Sequence, residues 1–354
     1  TGSAQYHYVV TDGSLYVYDI AGNYALVKQV PLPIGSKRGL MQAAPSSNLL
    51  YITYCGNSAC GGAHGSLLAY NLVTDQIAWI ANYTFGTDQA TITPDGKTIY
   101  MATGEDSSGG VTPIIDATDG KPIGSINTGT NGHDYVAALD GTQVYLSGHS
   151  GPTSNYVQVV DTATNQVILE AGPTVNGVRP NTVNGKHTLS FTTSTNRCGF
   201  QVLDLSAGTV LYTVTLNGAC SWTATDAPSH GISLSPDEKQ IYVMNAAADA
   251  VDVYDVSGLP ASPPTFVTRV QLSSLAGSES PCQSFCVREG WLLHSLSGRN
   301  VWVGDTGDVI DTTTQQVVQH LDTLRNTRLM LEVDYNNGIP NATTTRVGLG
   351  RVTG

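Results

Sequence analysis

Eight histidines and ten arginines are spread along a 354-residue chain whose net charge is −12. His64 sits in G-G-A-H-G and His149 in S-G-H-S-G, where glycine lets the backbone pass close to a ligand. His133 and His230 each stand a few residues ahead of a turn sequence, L-D-G and S-P-D-E. Aligning on those turns puts Asp88, ahead of T-P-D-G, at the same place. Imidazole titrates near neutrality, so such a set can carry protons, and Tyr135 is a further candidate beside His64, His133 and His230. Arg38, Arg179, Arg197 and Arg325 offer guanidinium forks that suit carboxylates and sulfates, with His149 beside them as a substrate contact. The chemistry to expect is acid–base catalysis on an anionic substrate. A divalent cation such as calcium, held by Asp88 with His133 and His230, is the alternative use of the same residues. No phosphate-cradling loop, serine nucleophile elbow or His-Glu-x-x-His helix occurs. His294, inside W-L-L-H-S-L-S, reads as a core histidine, and His7, His187 and His320 receive no role.

These residues hang on a repeat. The stretch Ser229 to Asp255 contains three short strand-like runs broken by S-P-D-E-K and A-A-A-D, and ends on an apolar run closed by Asp255. The same ending recurs at Asp19, Asn71, Asp116, Asp161, Asp204 and Asp311, every 43 to 56 residues. A bulky residue precedes six of the endings: Tyr8, Tyr51, Tyr100, Tyr145, Tyr242 and Trp302. The fifth copy, K-H-T-L-S-F, departs from this pattern. Four short strands repeated seven times, with no helical stretch, predict an all-β, seven-bladed β-propeller filling residues 1–354 as a single domain. Blade 1 lacks an innermost strand at the N-terminus. The segment from Arg328 to Tyr335 is expected to supply it and close the ring beside Tyr6 to Thr11. The position of residues 343–354 does not follow from the repeat.

With strands A to D named from the central shaft outward, antiparallel pairing puts the B→C loops and D→A connections on one face. Lys97, Lys186, Lys239 and Arg299 fall in A→B turns on the opposite, plain face. Lys37, Arg38, Arg179, Arg197, Arg288, Arg325 and Arg328 fall on the first face, with Asp88, Glu105, Asp106, Asp134 and Glu289 as partners that could instead tie them down. The cysteines fall on that first face too. Proximity favours Cys55–Cys60, Cys198–Cys220 and Cys282–Cys286, and the spacings do not suit zinc. The loops of this face contain few aromatics apart from Tyr156 and Trp222.

Six cysteines, scarce lysine and the sequons at Asn82 and Asn341 point to a secreted, extracellular glycoprotein whose signal peptide has been removed. No apolar run approaches the length of a membrane span, and so acidic a chain is a poor partner for nucleic acid or anionic membranes. A monomer acting on an acidic polysaccharide or oligosaccharide is expected.

S-P-D-E-K-Q-I-Y-V-M-N and T-P-D-G-K-T-I-Y-M-A-T resemble the Tyr-Val-Thr-Asn type of propeller repeat of secreted and surface proteins. The cysteine pattern and V-W-V-G-D-T-G-D-V-I-D-T-T-T-Q-Q-V-V resemble secreted fungal seven-bladed polysaccharide lyases, the L-rhamnosyl-α-1,4-D-glucuronate lyases that act on arabinogalactan and gum arabic. The resemblance implies β-elimination at a glucuronate held at the centre of the propeller face by His and Arg; it carries over no individual catalytic residue. A non-catalytic sugar-binding propeller, an interaction scaffold and a metal-dependent lactonase are the other classes that the pattern admits.

Overall fold

The computed structural model describes residues 2–55, 64–104, 109–218 and 220–353. It is an all-β seven-bladed propeller: six four-stranded antiparallel sheets and one five-stranded sheet, with three single-turn 3-10 segments and no α-helix among the described residues. The A strands of blades 2 to 7 are Ser36–Ala44, Thr91–Ile92, Asn131–Ala137, Asn181–Val183, Ile232–Leu234 and Trp291–His294. Blade 1 takes its A strand, Leu329–Asn336, from the C-terminal part of the chain. It pairs antiparallel with Ser3–Thr11, in a register running from Ser3 opposite Asn336 to Val10 opposite Leu329. Ring closure therefore follows the repeat.

The recurrent Asp ending is structural. Each of these side chains accepts backbone N–H bonds two or three residues on, as Asp116 does from Thr118, Asp204 from Ser206 and Ala207, and Asp311 from Thr313 and Thr314. It thereby caps the tight turn between strands C and D. The bulky residue before each ending packs between blades and is almost fully buried in all seven copies. In blade 5 that place is taken by Phe191, so the fifth copy keeps the pattern with a different aromatic.

The residues after Asn336 turn back as Ile339–Thr343, inside the A strand of blade 1. The chain then climbs the shaft and descends again. Arg346 bonds to Gly39 and Arg328, Gly348 meets Thr182 and Leu234, and Gly350 and Arg351 meet Val183 and Pro236. The shaft is filled by the protein's own chain. A Cβ at Gly348 would lie 2.0 Å from Ser233 Oγ, so only glycine passes there.

Cys198–Cys220 and Cys282–Cys286 are disulfides. The third expected pair rests on Cys60, which lies outside the described residues. Asn82 and Asn341 are both exposed. Among the described residues no helix is long and apolar enough to cross a membrane.

Candidate functional site

The segments that open the A strands converge on one mouth of the shaft. In blades 3 to 7 a backbone N–H bond of the same type closes the A→B turn: Thr93 to Thr98, Ala138 to Gln143, Asn184 to Leu189, Ser235 to Gln240 and Ser295 to Asn300. Counting back equally from these turns places Asp88, His133, Arg179, His230 and Gly290 at one level of successive blades. The fold thus sets two imidazoles, a carboxylate and a guanidinium around a circle, although they are some 50 residues apart in sequence.

All five of these residues except Gly290 line a pocket with about 190 Å³ of interior volume. His133 Nδ1 lies 3.1 Å from Asp88 Oδ2. The centroids of the His133 and His230 rings are 5.9 Å apart, and those of His133 and His149 are 6.2 Å apart. Burial pushes the Asp88 carboxyl up. Its bond to His133, with the charges of His133 and Arg38, outweighs that and holds it below the usual carboxylate range. An ionised Asp88 favours the His133 tautomer with its proton on Nδ1, which makes Nε2 the basic nitrogen. His230 turns Nδ1 toward the Gly290 carbonyl at 3.4 Å and Glu289 Oε2 at 3.6 Å, and its ring meets the Trp291 edge.

The cations divide into two sets. Arg328 is tied to Glu289 Oε2 at 2.6 Å and Asp305 Oδ2 at 3.3 Å; Lys37 to Glu279 Oε2 at 2.5 Å; and Arg179 to Asp226. These pairs build the wall. Burial and the neighbouring Asp305 push the Glu279 carboxyl up, against the pull of Arg328 and Lys37. Arg38 and Arg346, by contrast, form no ion pair with a carboxylate among the described residues. Arg38 bonds the Thr87 carbonyl, at 3.4 Å, and lies 4.6 Å over the Phe285 ring. Arg346 bonds two carbonyls and stacks 3.7 Å over Trp291. Burial pushes its guanidinium down to about 9, which leaves it charged at neutral pH.

Phe285 is 54% exposed on the pocket rim and is held at a φ of +56° within the Cys282–Cys286 loop. A bulky residue in the left-handed region marks a constrained loop, here one that presents an aromatic face to the opening.

The structure brings together Asp88, His133, His230, Arg38 and Arg179, with His149 alongside. It keeps the other candidates apart. Tyr135 is buried with its hydroxyl on Thr112, 2.5 Å away: it stands two residues deeper along the strand than His133, where it packs with Tyr100 and Ile114 between blades 3 and 4. His64 is exposed at the start of Gly65–Asn71 and does not line the pocket. Arg197 reaches outward to Thr215 on the outermost strand of blade 5. Arg325 sits in the turn Leu324–Asn326, off the pocket. Asp88 is bonded to His133, and among the described residues no three His, Cys, Asp or Glu side chains are grouped to hold a metal. Sequence reasoning missed Arg346, Phe285 and Glu279. Phe285 and Glu279 lie in the long blade 6–7 connection, where only the paired cysteines signalled a built loop. Arg346 lies in the tail, outside any repeat.

No protein-family model matches the sequence, and no curated protein is similar to it at a level that names a family. Solved structures resemble it in shape. A functionally unknown protein from Desulfotomaculum acetoxidans superposes with a TM-score of 0.68 at 13% identity, over 91% of this chain and 96% of that one. The Pseudomonas aeruginosa periplasmic gluconolactonase PpgL superposes with a TM-score of 0.64 at 16% identity, over 96% and 98% of the two chains. Dihydro-heme d1 dehydrogenase NirN reaches 0.56 at 13% identity, over 96% of this chain and 75% of that one. At these identities the likeness is one of fold. It gives no support to the rhamnosyl-glucuronate lyase resemblance drawn from the sequence.

Proposed function

We propose that the protein is an extracellular enzyme acting on a sugar acid in an acidic glycan, by β-elimination at a glucuronate such as those capped by rhamnose in arabinogalactan and gum arabic. The observation that carries this reading is the Asp88–His133 pair in a pocket that also contains Arg38 and Arg346, two guanidiniums with no carboxylate partner among the described residues. A charged carboxylate makes the neighbouring C5 proton hard to remove, so a lyase must stabilise the enolate-like transition state more than the ground state. Arg38 and Arg346 neutralise the carboxylate. His133 Nε2 takes the C5 proton, the C–H electrons form the C4–C5 double bond, and the C4–O4 bond breaks. His230 protonates the departing oxygen. Phe285 offers an apolar ring on which a sugar face can stack.

Phe285 also favours a second reading, in which the face binds a sugar acid without chemistry. The gluconolactonase among the structural neighbours is a reminder that this fold serves sugar-acid chemistry of another type. Incubation with gum arabic decides among these. The expected outcome is a rise in the ultraviolet absorbance of an unsaturated uronate, with release of rhamnose. Binding of the glycan without that rise leaves the non-catalytic reading; hydrolysis of a sugar lactone without it leaves the lactonase.

A further inference from the structure

The shaft of this propeller is occupied by the chain's own segment from Thr344 to Val352, and that segment delivers one side chain to the pocket. Arg346 is 3% exposed overall. Its Nε donates to the Gly39 carbonyl at 2.6 Å, within the A strand of blade 2, and its Nη1 to the Arg328 carbonyl at 2.6 Å, just ahead of the A strand of blade 1. The guanidinium plane lies 3.7 Å above Trp291, whose indole N–H in turn bonds the Arg346 carbonyl at 3.0 Å. Three blades therefore fix the fork in place. No described residue accepts from Nη2, and no carboxylate stands at ion-pair distance; Asp134, Asp88 and Asp305 act on it only from farther away.

A buried guanidinium that lacks a bonded counter-ion is costly for a fold to keep. The neighbouring cations show how this protein deals with that cost elsewhere: Arg328, Lys37 and Arg179 each have a carboxylate in contact. Arg346 differs because its open side lines the cavity. Its backbone and ring contacts hold the fork before any ligand arrives, so little ordering remains to be done on binding.

We infer that the C-terminal segment is a working part of the binding site, with Arg346 at the pocket floor as the residue that receives the substrate's carboxylate, opposite Arg38 at the rim. This deepens the sugar-acid reading above and rests on it. It also makes site assembly depend on ring closure, since Arg346 comes from beyond the strand that closes the propeller and bonds Gly39 of blade 2 and Arg328 of blade 1.

The test is calorimetric binding of glucuronate and of its uncharged methyl ester to the full chain, in the wild type and in Arg346→Met, with thermal melting of both. The wild type is expected to prefer glucuronate over the ester by about tenfold or more, an ion pair in a desolvated site being worth at least that much. Arg346→Met, which keeps length and apolar contact with Trp291, is expected to lose that preference while still melting cooperatively. A folded Arg346→Met that keeps the wild-type preference overturns the assignment of Arg346 and leaves the sugar-acid reading standing. A wild type that shows no preference for the acid overturns both. If Arg346→Met does not fold, Arg346→Lys replaces it: it keeps the charge and loses the fork, and an unchanged affinity for glucuronate would overturn the assignment equally.

Discussion

The two mouths of the shaft handle charge in opposite ways. On the plain face three lysines pair within their own turn: Lys97 with Asp95, Lys121 with Asp119 and Lys239 with Asp237, two residues apart and mostly exposed. On the pocket face, partners come from distant parts of the chain and are largely buried. Lys37 meets Glu279, 242 residues away, and Arg328 meets Glu289 and Asp305. A turn can satisfy its own ions before the ring closes, whereas the pocket's ions find partners only when the blades are in place. Screening by water makes the first kind nearly neutral for stability; desolvation makes the second kind strongly felt when one partner is lost.

The largest departure between the faces should come from Arg328→Met. It leaves Glu289, Asp305 and Glu279 without their shared cation, and a loss of about 3–5 kcal/mol in chemical denaturation is expected. A loss no larger than that of a surface substitution would erase the contrast. Next comes His133→Gln, which can still donate to Asp88 but cannot accept a proton. Turnover on a rhamnosylated glucuronate chain should fall on the order of 100-fold with the melting temperature nearly unchanged. His187→Ala, in a turn of the plain face, should keep full activity; equal losses in the two variants would place the chemistry elsewhere.

A smaller effect sharpens the comparison through pH. Asp134 lies one residue beyond His133, fully buried, and burial pushes its carboxyl up to about 6. Because the folded-state value lies above the unfolded one, its contribution to stability is fully present below the unfolded value of 3.8 and is lost as pH rises through 6. Asp134→Asn removes that loss while keeping an acceptor for the Asn181 N–H. A melting temperature higher by about 2–4 °C at pH 8, and no higher at pH 4, is expected. A variant less stable than the wild type at pH 8 would show that the charge itself is wanted there, as a distant counter-ion to Arg346. The smallest effect belongs to Lys121→Ala on the plain face, where no measurable shift in melting is expected, because the pair with Asp119 stands in water.

The architecture was legible in the sequence because it rests on local, repeated chemistry. An Asp that caps its own turn, a large aromatic at a constant distance before it and strand-length apolar runs are each decided within a few residues, and seven copies leave little ambiguity. The missing first strand announced the closure, and antiparallel connectivity assigned loops to faces, so Asp88, His133 and His230 could be set on one ring from spacing alone. Reading further along the chain failed where the outcome depended on depth or on direction. Tyr135, two residues past His133, is sealed between blades 3 and 4 with its hydroxyl on Thr112, and Arg197 occupies the right face yet reaches outward to Thr215. Which cations would stay without a carboxylate was not decided by local sequence at all. Arg328 and Arg38 look alike there, but only Arg328 meets carboxylates once blade 7 lies beside blade 1. Arg346 belongs to no repeat, and its place follows from a tail that enters the shaft because Gly348 can pass Ser233 and the A strands offer it carbonyls and N–H groups. Backbone bonds within blades 2 to 7 join residues near in sequence, whereas the side-chain bond from Arg346 to the Gly39 carbonyl joins residues 307 positions apart, and only the closed ring brings them within reach.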